Sequence, residues 1–152
     1  MSASKQIKIF IAGDSTAATK DPSKYPETGW GQVINLYFND EVCIRNFAKN
    51  GRSSKSFIDE GLLDQIAAEI QEGDYLFIQF GHNDEKDKPA VHTDPQTTFK
   101  EYLTRYIDCA RNVKATPVLL TPVHRRNFDE NGKINNTHGE YPQAMRELSK
   151  EK

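Results

Sequence analysis

The sequence predicts an α/β domain, a parallel β-sheet with helices on both faces. Three observations carry this. Nearly continuous apolar runs, Ile7-Lys8-Ile9-Phe10-Ile11-Ala12 and Tyr75-Leu76-Phe77-Ile78-Gln79-Phe80, each stop at a glycine, as strands buried on both faces do. Between such runs lie segments whose apolar residues recur at helical spacing. The two kinds alternate along the chain, which is the order that builds a parallel sheet. The 152 residues are enough for one compact domain and not two, and no repeat, low-complexity tract or linker divides them.

Taken in order, the first strand runs from Ile7 into Gly13, followed by Asp14-Ser15-Thr16 in a tight turn. A loop with Pro22, Pro26 and Gly29 leads to a helix starting near Trp30, on the stripe Trp30, Val33, Ile34, Tyr37 and Phe38. Glu41 to Phe47 reads as a second strand, and Asn50-Gly51-Arg52-Ser53-Ser54 as a turn cluster. Leu62, Leu63, Ile66, Ala67 and Ile70 mark a second helix, closed by Gly73-Asp74. The third strand, Tyr75 to Phe80, ends in Gly81-His82-Asn83-Asp84. Asp94-Pro95 has the form of a helix N-cap with proline in the first turn. Behind it, Phe99, Tyr102, Leu103, Tyr106, Ile107, Ala110 and Val113 give a clean helical stripe. Pro117 to Val123 is a fourth strand with prolines at its ends, His124 to Gly139 a polar loop, and Tyr141, Met145 and Leu148 open a last helix.

Composition removes several function classes. A net charge of −2 gives no electrostatic basis for binding nucleic acid or an anionic membrane. No apolar run approaches the roughly 18 to 20 residues needed to span a bilayer. The polar start Met1-Ser2-Ala3-Ser4-Lys5-Gln6 has no signal-peptide core, so the expected location is the cytoplasm. Cys43 and Cys109 lack metal-ligand spacing and read as reduced, mostly buried thiols. Neither G-x-G-x-x-G nor G-x-x-x-x-G-K-[ST] occurs, which leaves nucleotide or flavin binding without support.

The chemistry lies at the strand ends. Gly13-Asp14-Ser15, Asn50-Gly51-Arg52 and Gly81-His82-Asn83-Asp84 would meet at one edge of a parallel sheet. Together they bring a hydroxyl, a glycine with an approachable N–H and a side-chain amide. Acyl transfer needs that set, a nucleophile with donors aimed at the oxygen that becomes negative. Each residue also has a plainer role. Ser15 could cap a helix, Asp14 could bond its own turn, and Asn83 and Asp84 could shape their loop. His82 reads as structural or substrate-lining, and His92 as a surface residue. Arg125 and Arg126 offer guanidinium forks suited to a sugar carboxylate or form a solvated basic loop. Trp30 reads as core.

These residues resemble the SGNH or GDSL hydrolases. Gly13-Asp14-Ser15-Thr16 is similar to that family's nucleophile block, Gly51 to its second block, and Gly81-His82-Asn83-Asp84 to its third. The form of the first and third blocks, with Thr121-Pro122-Val123 before an arginine-rich loop, resembles the rhamnogalacturonan acetylesterase branch. The resemblance implies a flavodoxin-like three-layer α/β/α sandwich with strand order 2-1-3-4-5, and hydrolysis of acetyl esters on a sugar without metal or other cofactor. It implies Ser15 as nucleophile, with the N–H groups of Ser15 and Gly51 and the Asn83 side chain as oxyanion hole. Asp14, His82, Arg125 and Arg126 would line the substrate.

One block departs. The family's fourth signature, a C-terminal Asp-x-x-His supplying the base, has no match in these residues. A serine hydroxyl without a base is a poor nucleophile. His124 and His138 are the substitutes to consider. The chain is therefore expected to represent the N-terminal part of such an esterase, stopping before the last strand and inactive or weakly active alone. Without a fifth strand, Val118-Leu119-Leu120 would be an apolar edge prone to self-association. The rival readings are a GDSL lipase or thioesterase, disfavoured by polar loops and no visible apolar lid, and a non-catalytic carbohydrate-binding remnant.

Overall fold

The first strand, β1 (Ile7–Gly13), lies inside the sheet, flanked by β2 (Val42–Asn46) and β3 (Tyr75–Gln79), with β4 (Thr116–Leu119) beyond β3. This is a computed structural model, and it describes residues 6–152; residues 1–5, part of the stretch read above for a signal peptide, lie outside it. All three pairings are parallel, with Ile9 opposite Ile44 and Tyr75, and Phe77 opposite Val118. The order β2-β1-β3-β4 is the one the resemblance implies, as far as four strands go.

Alternation along the strands sends side chains to two cores. Phe10, Ala12, Leu76 and Ile78 join the larger one, under α2 (Ser54–Asp59), α3 (Leu62–Glu69), α4 (Thr98–Asn112) and α5 (Tyr141–Glu151). At its centre Phe57, Phe80 and Tyr106 stand with ring centroids 5.2–6.0 Å apart, all fully buried. Such pairs each contribute about 0.5–1.5 kcal/mol beyond their buried area. Ile9 and Ile11 face the other way and pack with Trp30 and Ile34, so this second face is covered by helical turns only in part, leaving Ile7, Phe38 and Tyr75 exposed.

The structure corrects several boundaries. The first helix is one turn, α1 (Trp30–Val33), continued as a 3₁₀ turn at Ile34–Tyr37. Val33-Ile34-Asn35 is a run of weak helix formers, and Tyr37, read as part of the helical stripe, is 83% exposed. A helix that was not expected follows directly on the turn cluster, at Ser54–Asp59. α2 begins with a capping box in which Ser53 and Ser56 exchange hydrogen bonds. α4 starts at Thr98, not behind Asp94-Pro95. The Asp94 N–H donates to the Thr98 hydroxyl (2.8 Å), and the Asp94 carbonyl accepts from the N–H groups of Thr97 and Phe99. β4 ends at Leu119, because the Thr121 and Val123 carbonyls turn to side chains rather than to the sheet. Cys43 and Cys109 are free and half-buried, in strand and helix as expected, and burial pushes the Cys109 thiol up.

Candidate active site

β1 delivers the nucleophile turn. Its last residue, Gly13, is followed by Asp14, which is fully buried. Asp14 Oδ1 accepts from the Thr16 N–H (2.8 Å) and lies 2.7 Å from Thr16 Oγ1. The Asp14 carbonyl accepts from the N–H groups of Ala17 and Ala18. Asp14 therefore holds the turn from inside and does not face a substrate, correcting the substrate-lining expectation. Its Oδ2 is buried with no partner among the described residues. Ser15, next in the chain, is partly exposed.

The close fit beneath this turn is set by Gly29. A Cβ there would stand 2.0 Å from the Ala18 carbonyl oxygen, so only glycine lets residues 29–31 pass so near. Trp30 follows, donating its N–H to the Thr16 carbonyl (2.9 Å) and its indole N–H to Gln79 Oε1 (2.6 Å). Trp30 is half-buried and packs against the smaller core. Thr16 Oγ1 lies 3.0 Å from the same Gln79 oxygen, and Gln79 Nε2 donates to the Thr121 carbonyl (3.2 Å).

The second and third loops come to the first through polar contacts. Asn83 is buried and its Nδ2 donates to the Arg52 carbonyl (2.8 Å), while its Oδ1 accepts from Lys86 (2.6 Å). These contacts fix which end of the amide is the donor. One Nδ2 hydrogen remains. Gly51 has φ +78°, a left-handed conformation suited to glycine, and a Cβ there would meet nothing within 4 Å. The N–H groups of Ser15 and Gly51 have no acceptor among the described residues. The three loops therefore carry three N–H hydrogens without acceptors among the described residues, the kind of donor an oxyanion hole uses.

Asp84 follows Asn83 in the chain. It is buried and accepts from the Ser54 N–H (3.1 Å), the Ser54 hydroxyl (2.5 Å) and the Thr93 hydroxyl (3.0 Å). Burial pushes its carboxyl up to about 6, against those hydrogen bonds, which pull it down. Tyr106 donates to the Ser54 carbonyl (2.7 Å), and burial raises its hydroxyl well above the phenolic range.

The histidines gather behind the third loop. His82 Nε2 and His138 Nε2 both approach the Val123 carbonyl, at 3.0 and 2.9 Å, with ring centroids 4.4 Å apart. His138 is buried, its Nδ1 2.9 Å from Glu85. Both its nitrogens are engaged, so it does not serve Ser15 as a base. Burial lowers His82 below the usual imidazole range, partly offset by the Asp14 charge. His124 and His92 are exposed. No described side chain hydrogen-bonds to the Ser15 hydroxyl. Arg125 pairs with Glu85 and donates to the Thr137 carbonyl (3.2 Å). Its fork is occupied within the protein, a correction to its expected role on a substrate carboxylate. Arg126 is exposed. Among the described residues no cluster of three or more His, Cys, Asp or Glu could hold a metal ion.

Sequence reasoning missed Lys20, Gln79, Glu85 and Lys86. Gln79 alone carried a signal, a polar residue at the end of an apolar strand. The three charged residues sit in polar loops, where a bound and a solvated side chain look alike.

The family model described as GDSL-like lipase/acylhydrolase matches residues 11–152. The chain is 51% identical over 147 residues to the rhamnogalacturonan acetylesterase RhgT of Bacillus subtilis (strain 168), covering 97% of this chain and 62% of that protein. It is 43% identical to the probable rhamnogalacturonan acetylesterase YesY of the same organism, covering 94% of this chain and 65% of that one. The chain thus spans under two thirds of the length of these relatives. Among solved structures, YxiM from Bacillus subtilis superposes with a TM-score of 0.86 at 29% identity, over 96% of this chain and 41% of that one.

Proposed function

The chain belongs to the GDSL-like lipase/acylhydrolase family, and from that premise we propose that it carries the nucleophile and oxyanion hole of a serine esterase removing acetyl groups from rhamnogalacturonan-type sugars. The observation that carries this reading is the set of three unused donors, Ser15 N–H, Gly51 N–H and Asn83 Nδ2, on loops tied together beside Ser15. The names of the relatives support the acetyl group and the pectic sugar.

In the reaction, Ser15 Oγ attacks the acetyl carbonyl carbon and gives its proton to a base. The carbonyl oxygen takes up negative charge against the three donors. Collapse breaks the bond to the sugar oxygen, which leaves with a proton, and water then hydrolyses the acetyl-serine to acetate. The base is the step that the described residues do not supply to Ser15, so weak turnover is expected of these 152 residues. That same observation favours a second reading, a domain that binds acetylated sugar without turning it over.

The test is p-nitrophenyl acetate hydrolysis by this chain, by Ser15→Ala, and by a version extended through an Asp-x-x-His block. Strong activity only in the extended protein, abolished by Ser15→Ala, supports the esterase. No Ser15-dependent activity in any of them refutes it and leaves the binding domain.

A further inference from the structure

Lys20 is a buried charge that the reaction above does not use. Its side chain is 5% exposed. Placing an ammonium inside a protein is costly unless every N–H is satisfied. Here Nζ has three acceptors for three hydrogens, the Ser15 carbonyl at 2.6 Å, Asn50 Oδ1 at 2.9 Å and Glu27 Oε1 at 3.2 Å. Ser15 is the nucleophile, and Asn50 immediately precedes Gly51. One ammonium therefore grips the two loops whose N–H groups must point at the same oxygen.

We propose that Lys20 is a positioning residue for the oxyanion hole, clamping the Ser15 turn to the Asn50-Gly51 turn so that their N–H groups converge. This rests on the esterase reading and adds to it the group that fixes the spacing of its donors. Proton transfer is not its role. Its three contacts go to the Ser15 carbonyl, Asn50 and Glu27, and none reaches the Ser15 hydroxyl. The clamp also restrains the turn at Gly51, which has φ +78° and no side chain of its own to pack. Asn50 is exposed, so the ammonium replaces a missing apolar contact with a polar one.

The experiment uses the full chain and two readouts. The first is labelling of Ser15 by a fluorophosphonate probe, with excess imidazole as external base. Ser15 Oγ displaces fluoride from phosphorus, the proton goes to imidazole, and the phosphonyl oxygen occupies the oxyanion hole. Lys20→Met is expected to slow the maximal labelling rate about 10- to 100-fold, the range for misplacement near 1 Å, with half-saturation unchanged. Asn50→Ala, which cuts the other end of the clamp at an exposed position, gives a similar loss, and the double variant loses no more than either. The second readout is the Gly51 backbone amide resonance by NMR, which shifts in Lys20→Met, a substitution remote from Gly51 in sequence. Wild-type rates in folded Lys20→Met and Asn50→Ala, or an unmoved Gly51 resonance, overturn the proposal. If Lys20→Met does not fold, Asn50→Ala decides alone. A wild-type chain that labels no faster than Ser15→Ala refutes the esterase reading, and the positioning role of Lys20 in it; the Gly51 resonance in Lys20→Met still reports whether the clamp exists.

Discussion

Asp84 makes a quantitative prediction about stability. Burial pushes the native carboxyl up to about 6, from the 3.8 of an aspartate in the unfolded chain. The folded state therefore holds this proton more tightly. Between those two values the native protein binds more protons than the unfolded chain, so stability falls as pH rises. The contribution is full below about pH 4 and gone above about pH 6. A shift near two pKa units, at ~1.4 kcal/mol each, gives roughly 3 kcal/mol as its size.

Asp84→Asn removes the titration. Its altered hydrogen bonds to Ser54 and Thr93 impose a cost that does not vary with pH, and so cancels from the slope. Other carboxylates act in the opposite direction. Asp21 is held low by hydrogen bonds from Ser23, and Glu60 by those from Arg52, but both are common to the two proteins. Urea unfolding from pH 3.5 to 7.5 should show wild type losing roughly 3 kcal/mol relative to Asp84→Asn as pH rises from 4 to 7. Parallel curves would refute the reasoning, and wild type gaining on the variant would reverse its sign.

Three other outcomes are expected. Phe57→Ala, which empties the centre of the aromatic cluster, should cost about 3–5 kcal/mol in denaturant unfolding. Gly29→Ala places a methyl group on the Ala18 carbonyl and should lower both the melting temperature and the Ser15 labelling rate, since the strand of chain it displaces underlies the nucleophile turn. β4 pairs only with β3 among the described residues, and its other edge is open to strand addition. Sedimentation velocity should find self-association that a Val118→Lys variant suppresses.

What the sequence showed depended on the length of the signal. The two long apolar strands and the α4 stripe were legible because each repeats its pattern over enough residues. α2 was not, because six residues hold less than two turns, and its box uses serine at both ends instead of the usual Ser-x-x-Glu. Tyr37 misled for the opposite reason. Its spacing fits a helix, but the stripe breaks before the aromatic ring reaches the core. At the site, Ser15, Gly51 and Asn83 could be read from their place after strands. Burial of Asp14, engagement of Arg125 by Glu85 and the saturation of Lys20 could not, since each depends on contacts across at least two loops.

Gln79 joins segments that are remote along the chain. Through one side-chain amide it meets Thr16, Trp30 and Thr121. An opening that withdraws this amide releases the segments at Thr16, Trp30 and Thr121 together, so they are expected to open as one unit. Their amide protons should exchange with solvent as a group, at a common rate, while the exposed loop at 127–135 exchanges faster. Slow cooperative opening would then limit how often the nucleophile turn is lost, and the working lifetime of the site would be set by a residue that never touches the substrate.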